Sequence, residues 1–267
     1  MLVFVLEDDK RGIEISRRFL KEGFYVSDNI NDIKYAKLIY LGLKGIDHQN
    51  RVTHQDRICY IEDNVFENLN DKAIVFTIVE NEVLRRLSLK YDFQYISLLD
   101  DESFININSI MSAEGLISYM IEKIKKPIFQ SHIMILGYGH CGKCIAERLK
   151  DFQPTITIVA RNKDLKEEIE GLGYQFQLLS NVSYDADIVI NTIPHPIIDK
   201  ELLKKMKKDI MLFDIASFPY GIDHHEAIKL GLDSYIVPSI PSKYYCEYSS
   251  LYIVNFMKEK GDVNCLN

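Results

Sequence analysis

Residues 132–144 constrain this chain more than any other stretch. They read His132-Ile133-Met134-Ile135-Leu136-Gly137-Tyr138-Gly139-His140-Cys141-Gly142-Lys143-Cys144. A short apolar run leads into G-x-G-x-x-G, and residues of helical character follow at once. Each glycine has a distinct physical duty: Gly137 permits a tight turn, Gly139 lets a pyrophosphate approach the backbone, and Gly142 lets helix and strand pack closely. The helix start then offers unpaired N–H groups and the positive end of its dipole to phosphates. Tyr138, His140 and Cys141 complete the loop expected against a dinucleotide.

Two other motifs share these letters. Gly137-x4-Gly142-Lys143 matches the opening of a P-loop, but Cys144 stands where a magnesium-binding hydroxyl is needed, and the extra Gly139 suits a dinucleotide loop better. Cys141 and Cys144 form C-x-x-C beside His140, half of a zinc site, yet no second Cys/His pair follows at ligand spacing. The reading adopted is small residues in the first helical turns beside a cofactor, with no metal.

The surrounding rhythm decides the fold class. Strand-like runs fall at 132–136, 155–160, 174–178, 186–191, 210–215 and 234–237, with helix-like stretches at 144–150, 164–171, 200–207 and 224–230 between them. Strands alternating with helices predict α/β architecture, and six such strands match a doubly wound dinucleotide-binding (Rossmann) domain over 128–243. In the first half, runs at 2–6, 37–41, 58–61, 73–79 and 93–98, with helical stretches at 11–21 and 80–90, predict a smaller, mainly parallel α/β domain over 1–110, flavodoxin- or Rossmann-like, as the substrate domain. An apolar stripe of Ile110, Ala113, Leu116, Ile117, Met120, Ile121 and Ile124, closed by Pro127, predicts a linker helix over 111–127. Residues 244–267 are expected to supply a C-terminal helix that packs back on the first domain.

Composition excludes several function classes. Against 39 Asp+Glu stand 32 Lys+Arg, a net charge of -7, so the basic footprint of bulk nucleic-acid or anionic-membrane binding is missing. No run approaches the roughly 20 apolar residues of a membrane span, and the N-terminus lacks a secretory leader's basic start. Five scattered cysteines fit a reducing cytoplasm better than a disulfide framework. The expectation is a cytoplasmic protein.

The end of the second strand of the second domain bears on cofactor choice. An NAD site usually places an acid there for the ribose diol, whereas this chain reads Ala160-Arg161-Asn162-Lys163. Arg161 can instead fork onto a 2′-phosphate, so NADP is expected, with NAD as the alternative. The turns Asn191-Thr192-Ile193-Pro194 and Asp214-Ile215-Ala216-Ser217 end two further strands, at the sheet edge where ligands sit. Thr192, Ile193, Pro194, Ile215 and Ala216 are therefore candidate cofactor contacts.

Taken in order, these motifs resemble one family, the A-type subunit of dipicolinate synthase, a bacterial sporulation enzyme. Ser112-Ala113-Glu114-Gly115 is similar to its T-A-E-G element, Asn191-Thr192-Ile193-Pro194 to N-T-I-P, and Asp214-Ile215-Ala216-Ser217 to D-L-A-S. Pro219, Gly221 and Asp223 fall where the family has P-G-G-x-D, and Pro238 and Pro241 where it has P-G-L-P-G. The likeness runs from Ser112 to about Met257. The chain departs from it at Tyr220, Ser239 and Ser242, each in place of a family glycine, and at Lys243-Tyr244-Tyr245-Cys246.

The resemblance implies oxidation of dihydrodipicolinate to dipicolinate with reduction of a nicotinamide cofactor, mainly NADP, and a flavoprotein-like second subunit in a hetero-oligomer. Such chemistry needs a proton acceptor, for which Glu114, Asp214 and Asp223 are the candidates. A dicarboxylate substrate needs cations, and Arg11, His195 and Lys243, with Lys10 and Lys44 beside them, are the candidates for that. Two rival readings remain open: a non-catalytic NADP-binding scaffold or regulatory subunit, motivated by the altered loop 239–243, and another NAD(P)-dependent dehydrogenase of the hydroxyacid type. A methyl-donor transferase could share the glycine loop but wants an acid where Arg161 stands.

Overall fold

The computed structural model describes residues 1–55 and 57–263, so the last four residues of the segment 244–267 lie outside the described residues. The chain divides into two compact units: Met1–Asn108 with Pro241–Asn267, and Ser109–Ile240.

The first unit holds strands β1 (Leu2–Val5), β2 (Tyr25–Ser27), β3 (Leu38–Tyr40), β4 (Arg51–His54), β5 (Arg57–Tyr60), β6 (Ile74–Thr77) and β7 (Gln94–Ser97). Five form a parallel sheet in the order β2-β1-β3-β6-β7. Leaving out the hairpin, this is the 2-1-3-4-5 order of flavodoxin-like sheets. The run at 58–61, expected in that sheet, pairs instead with β4 as a separate antiparallel hairpin. The reason is its surface: Ile58 and Tyr60 are each 64% exposed, unlike the buried faces that a central parallel strand requires. β1 and β3 are apolar on both faces, and helices cover them. Phe19 and Ile15 of the helix Lys10–Lys21 and Ile253, Val254 and Met257 of the helix Cys246–Lys260 close over Val3, Val5, Leu38 and Tyr40.

The second unit carries β8 (His132–Leu136), β9 (Thr155–Ala160), β10 (Gln175–Leu178), β11 (Ile188–Asn191), β12 (Met211–Asp214) and β13 (Asp233–Ile236). All pair in parallel in the order β10-β9-β8-β11-β12-β13, the 3-2-1-4-5-6 winding of a Rossmann sheet. The apolar stripe read from the sequence lies on a helix running Glu102–Lys123, and Ala113, Leu116, Ile117 and Met120 pack in the core beside Ile133, Ile135 and Phe213. That helix starts before residue 111. Asp101 Oδ1 accepts from the backbone N–H groups of Ser103 and Phe104 at 3.0 and 3.3 Å, an aspartate cap that fixes the earlier start. Among the described residues no helix is long and apolar enough to cross a membrane.

Candidate functional site

The second unit gathers its candidate residues at the carboxyl edge of the sheet. Backbone bonds beyond the strands keep that edge in register: Gly137 N–H donates to the Val159 carbonyl (2.9 Å), Thr192 N–H to Leu136 (3.0 Å) and Ile215 N–H to Asn191 (3.1 Å). The four turns at the ends of β8, β9, β11 and β12 thus lie along one line, as ligand binding at a doubly wound sheet requires.

The glycine loop has the local geometry its letters predict. Gly137 adopts φ +100°, and a Cβ there would collide with the Thr192 hydroxyl. Gly142 presses on the Gly137 carbonyl, so helix and turn touch where a side chain would separate them. Gly139 is different: a Cβ there would meet no atom within 4 Å. It is the N-cap of the helix His140–Lys150 and brings no side chain to cap it. The helix start therefore faces open space with its first N–H groups unused by any capping side chain, a cradle that fits a dinucleotide's phosphates. Thr192 is pinned beside it, its hydroxyl donating to the Leu136 carbonyl at 2.8 Å.

The other loop side chains are more ordinary. Tyr138 packs on the core while the Lys143 ammonium lies 4.7 Å from its ring centroid and 3.0 Å from Glu168. His140 is exposed. Cys141 lies 3.7 Å from the Ser109 hydroxyl, and Cys144 lies 3.7 Å from the Arg148 guanidinium. Burial pushes both thiols above the usual cysteine range, so neither has the character of a nucleophile. At the end of β9, Ala160 is buried and Arg161 exposed, and among the described residues Arg161 enters no ion pair. Asn162 Oδ1 is committed to the Asp164 N–H at 2.9 Å, where it caps a short turn.

Asp214 departs from the sequence expectation. It is fully buried, and both carboxylate oxygens are enclosed by donors. Oδ1 accepts from Asn191 Nδ2 (2.9 Å) and Ala216 N–H (3.1 Å); Oδ2 accepts from Gly221 N–H (2.8 Å) and Ile222 N–H (3.1 Å), with His224 Nε2 at 3.3 Å. A carboxylate so enclosed holds a loop in shape, with both oxygens engaged inside the protein. His224 is fixed in turn by Ser234, 2.7 Å from Nδ1. Asp223 is exposed, and its Oδ1 caps the helix His224–Lys229 through the Glu226 N–H at 3.0 Å. Glu114 pairs with Arg148 at 3.1 Å and keeps 44% of its side chain exposed.

The sequence shows only half of this hub. Nothing in the motifs marks Asn191 and His224 as partners of Asp214, although the order Asn191, Asp214, Gly221, His224 is the one signal that could have found them. Gly221 is required because a Cβ would strike the Asn191 side chain. The loop that the hub anchors, Ser217–Tyr220, bears Phe218 at 75% exposure and Tyr220 at φ +68°, and Ser239 likewise takes φ +55°. Both residues thus take a left-handed backbone.

Of the expected substrate cations, Lys10, Arg11 and Lys243 meet at one helix start of the first unit, where the Ser242 hydroxyl donates to Asp9 Oδ2 at 3.3 Å. Arg11, in the first unit, is buried and bound to Asp9 through Nε at 3.2 Å and a terminal nitrogen at 3.1 Å. The helix start that Arg11 occupies is built around Asp9, so a dicarboxylate there would compete with that pair. Lys10, Lys44 and Lys243, in the same unit, and His195, in the second, are exposed.

Residues 110–217 match the family model of the D-isomer specific 2-hydroxyacid dehydrogenase NAD binding domain. The A-type subunit of dipicolinate synthase from Bacillus subtilis is 27% identical over 172 residues, 63% of this chain and 58% of that protein. The solved structure of the same subunit from Bacillus halodurans shares the fold, with a TM-score of 0.83 at 21% identity over 99% of this chain and 98% of that one. The chain resembles the A-type subunit of dipicolinate synthase. Glyoxylate reductase of Pyrococcus horikoshii is 34% identical over 95 residues, 33% of this chain and 28% of that protein. The matches thus span little more than half of the first of these curated relatives and under a third of the second. Within the second unit, the match to an NAD-binding domain of dehydrogenase type supports a nicotinamide dinucleotide as the cofactor class.

Proposed function

We propose that this chain oxidises dihydrodipicolinate to dipicolinate with NADP, as one component of a two-component enzyme with a flavoprotein-like partner. The similarity to the Bacillus subtilis protein carries the substrate half of this reading. The open cradle at Gly139 carries the cofactor half. When bound, the nicotinamide supplies the two-electron acceptor, and loss of a hydride and a proton turns the substrate ring aromatic. Little chemical push is needed, so the protein's work is to orient the two rings and exclude water. The helix start at His140 and the Gly137 turn would hold the phosphates, Thr192–Pro194 and Ile215–Ala216 would face the nicotinamide, and the Asp214 hub ties β11, β12 and the loop after β12 together. For the departing proton, Glu114 and Asp223 remain candidates because both are exposed, while Asp214 does not.

Cofactor choice rests on Arg161. A guanidinium with no carboxylate partner among the described residues can offer a 2′-phosphate two charge-assisted hydrogen bonds, together worth roughly 1.5–3 kcal/mol. NADP should then bind about tenfold to a hundredfold more tightly than NAD. Arg161→Asp should reverse that order, chiefly by losing NADP. Titrating both cofactors into both proteins decides the matter, and equal affinities in the wild type would reduce Arg161 to a solvated strand end. Production of dipicolinate from dihydrodipicolinate and NADP by the reconstituted pair tests the reaction. Tight NADP binding without turnover by that pair would favour the scaffold reading, which the engagement of Asp214 supports.

A further inference from the structure

The loop that follows β12 carries more aromatic surface than its fold requires. Its two feet are clamped by one carboxylate, since Asp214 accepts from Ala216 on one side and from Gly221 and Ile222 on the other. Gly221 is tied again through its carbonyl, which accepts from Ile197 and Ile198 at 2.9 Å each, and the Tyr220 N–H closes the arch onto the Ser217 carbonyl at 2.9 Å. At the crown, Phe218 is 75% exposed and meets the Tyr220 ring edge to face, with centroids 5.9 Å apart and planes at 85°. Tyr220 meets the His224 ring the same way, at 6.2 Å and 88°.

A single exposed phenylalanine is ordinary. Here it stands on a tyrosine held at φ +68°, a conformation that bulky side chains avoid. Strain of that kind persists where surrounding bonds over-determine it, and it gathers at ligand sites. The arch also rises from the carboxyl end of β12, the edge where a doubly wound sheet binds its ligands. The geometry points to Phe218 and Tyr220 as a stacking surface for a planar, unsaturated ring in the substrate, with Tyr220 fixing the angle of Phe218. This specificity device deepens the proposed reaction and rests on it, because a dihydropyridine is flatter than its saturated counterpart and its aromatic product is fully planar. Aromatic faces prefer flat partners, offset or edge to face.

The test is a set of matched pairs of ligands with and without a flat ring: pyridine-2,6-dicarboxylate against piperidine-2,6-dicarboxylate, and pyridine-2-carboxylate against piperidine-2-carboxylate. Binding to the NADP-loaded full chain is followed by calorimetry or ligand-observed NMR. The wild type should favour a flat ligand over its puckered partner by about tenfold, the size that one good aromatic contact carries. Phe218→Ala and Tyr220→Gly should abolish that preference while NADP affinity stays within about twofold, and Tyr220→Phe should retain it. No preference in the wild type, or a preference that survives both variants, overturns the proposal. A preference that depends on Phe218 but excludes the 2,6-dicarboxylate keeps the stacking surface and defeats the dipicolinate reading, so the two failures are distinguishable.

Discussion

Each of the two units opens on the same device, and they complete it differently. Counted from the N-cap, Leu6-Glu7-Asp8-Asp9-Lys10-Arg11-Gly12 corresponds to Leu136-Gly137-Tyr138-Gly139-His140-Cys141-Gly142. In both, a central parallel strand turns sharply into a helix, and a glycine in the first turn packs against backbone. A Cβ at Gly12 would lie 2.6 Å from the Leu6 carbonyl oxygen, and one at Gly142 would strike the Gly137 carbonyl. The difference lies in the anion. In the first unit Asp9 is the N-cap, and its Oδ1 accepts from the Arg11 and Gly12 N–H groups at 2.7 and 3.2 Å. In the second unit Gly139 is the N-cap and contributes nothing. One helix start carries its negative charge in the chain, and the other carries none. A shared strand-turn-helix geometry therefore says little about binding until the capping residue is read.

The largest expected effect comes from emptying the filled site. Asp9→Ala removes the cap of the helix Lys10–Lys21 and leaves the Arg11 guanidinium, 4% exposed, without its carboxylate. Loss of a cap costs about 1 kcal/mol and an unpaired buried charge more, so the total should be on the order of 3 kcal/mol. Asp9→Asn keeps a capping oxygen and should cost less. Denaturant unfolding measures both, and a near-neutral Asp9→Ala would show that this helix start needs no internal anion.

The converse experiment fills the open site. Gly139 sits at φ -84°, which any residue can adopt, and the space beside it is clear, so Gly139→Asp should fold. A carboxylate there would cap the helix as Asp9 does, adding a few tenths of a kcal/mol to stability. It would also occupy and repel the pyrophosphate position. NADP affinity should fall by about a hundredfold or more, roughly 2.7 kcal/mol. A stable Gly139→Asp protein with unchanged NADP affinity would remove the cradle from the mechanism.

How much of this the sequence reveals follows from where each signal resides. All six strands of the second sheet are legible within about two residues at each end: the four inner ones because strands buried on both faces are continuous apolar runs, and the edge strands β10 and β13, only partly buried, by their spacing between helical stretches. β2 is not: it has three residues, and Tyr25 is 74% exposed, so no apolar run exists to find. The glycine loop is legible because its residues act through local backbone geometry. Carboxylates are not, since Asp9, Asp214 and Asp223 have the same side chain and differ only in the donors that folding brings to them. The pairing of Arg11 with Asp9 is hidden from the sequence for the same reason. Tyr220 and Ser239 carry a left-handed backbone that their side chains conceal, and only their place against family glycines hints at it.

The smallest effect concerns Asp8, which precedes the internal anion where Tyr138 precedes the open cradle. Its Oδ2 accepts from the Leu43 N–H at 2.9 Å, while its Oδ1 is buried without a hydrogen-bond partner among the described residues. Burial is the largest influence and raises its pKa above the ordinary 3.8; the Leu43 bond and Arg11 pull the other way, and Asp9 adds to the rise. Burial also pushes the neighbouring Tyr40 hydroxyl above the usual tyrosine range, so that group stays neutral across the range tested. A raised carboxylate pKa means that the folded chain holds this proton more firmly than the unfolded one. The stability so gained is complete below 3.8 and is lost as the pH climbs through the folded value. At neutral pH Asp8 is therefore a buried charge with a cost. Asp8→Asn keeps an oxygen for Leu43 and removes the charge, so the variant should gain on the wild type at neutral pH and lose that advantage in acid. Unfolding midpoints at about pH 7 and pH 3.5 measure the difference. A variant weaker at neutral pH than in acid, relative to wild type, would mean that the Asp8 charge serves the Arg11 cluster, and that the first unit's helix start is built around two anions instead of one.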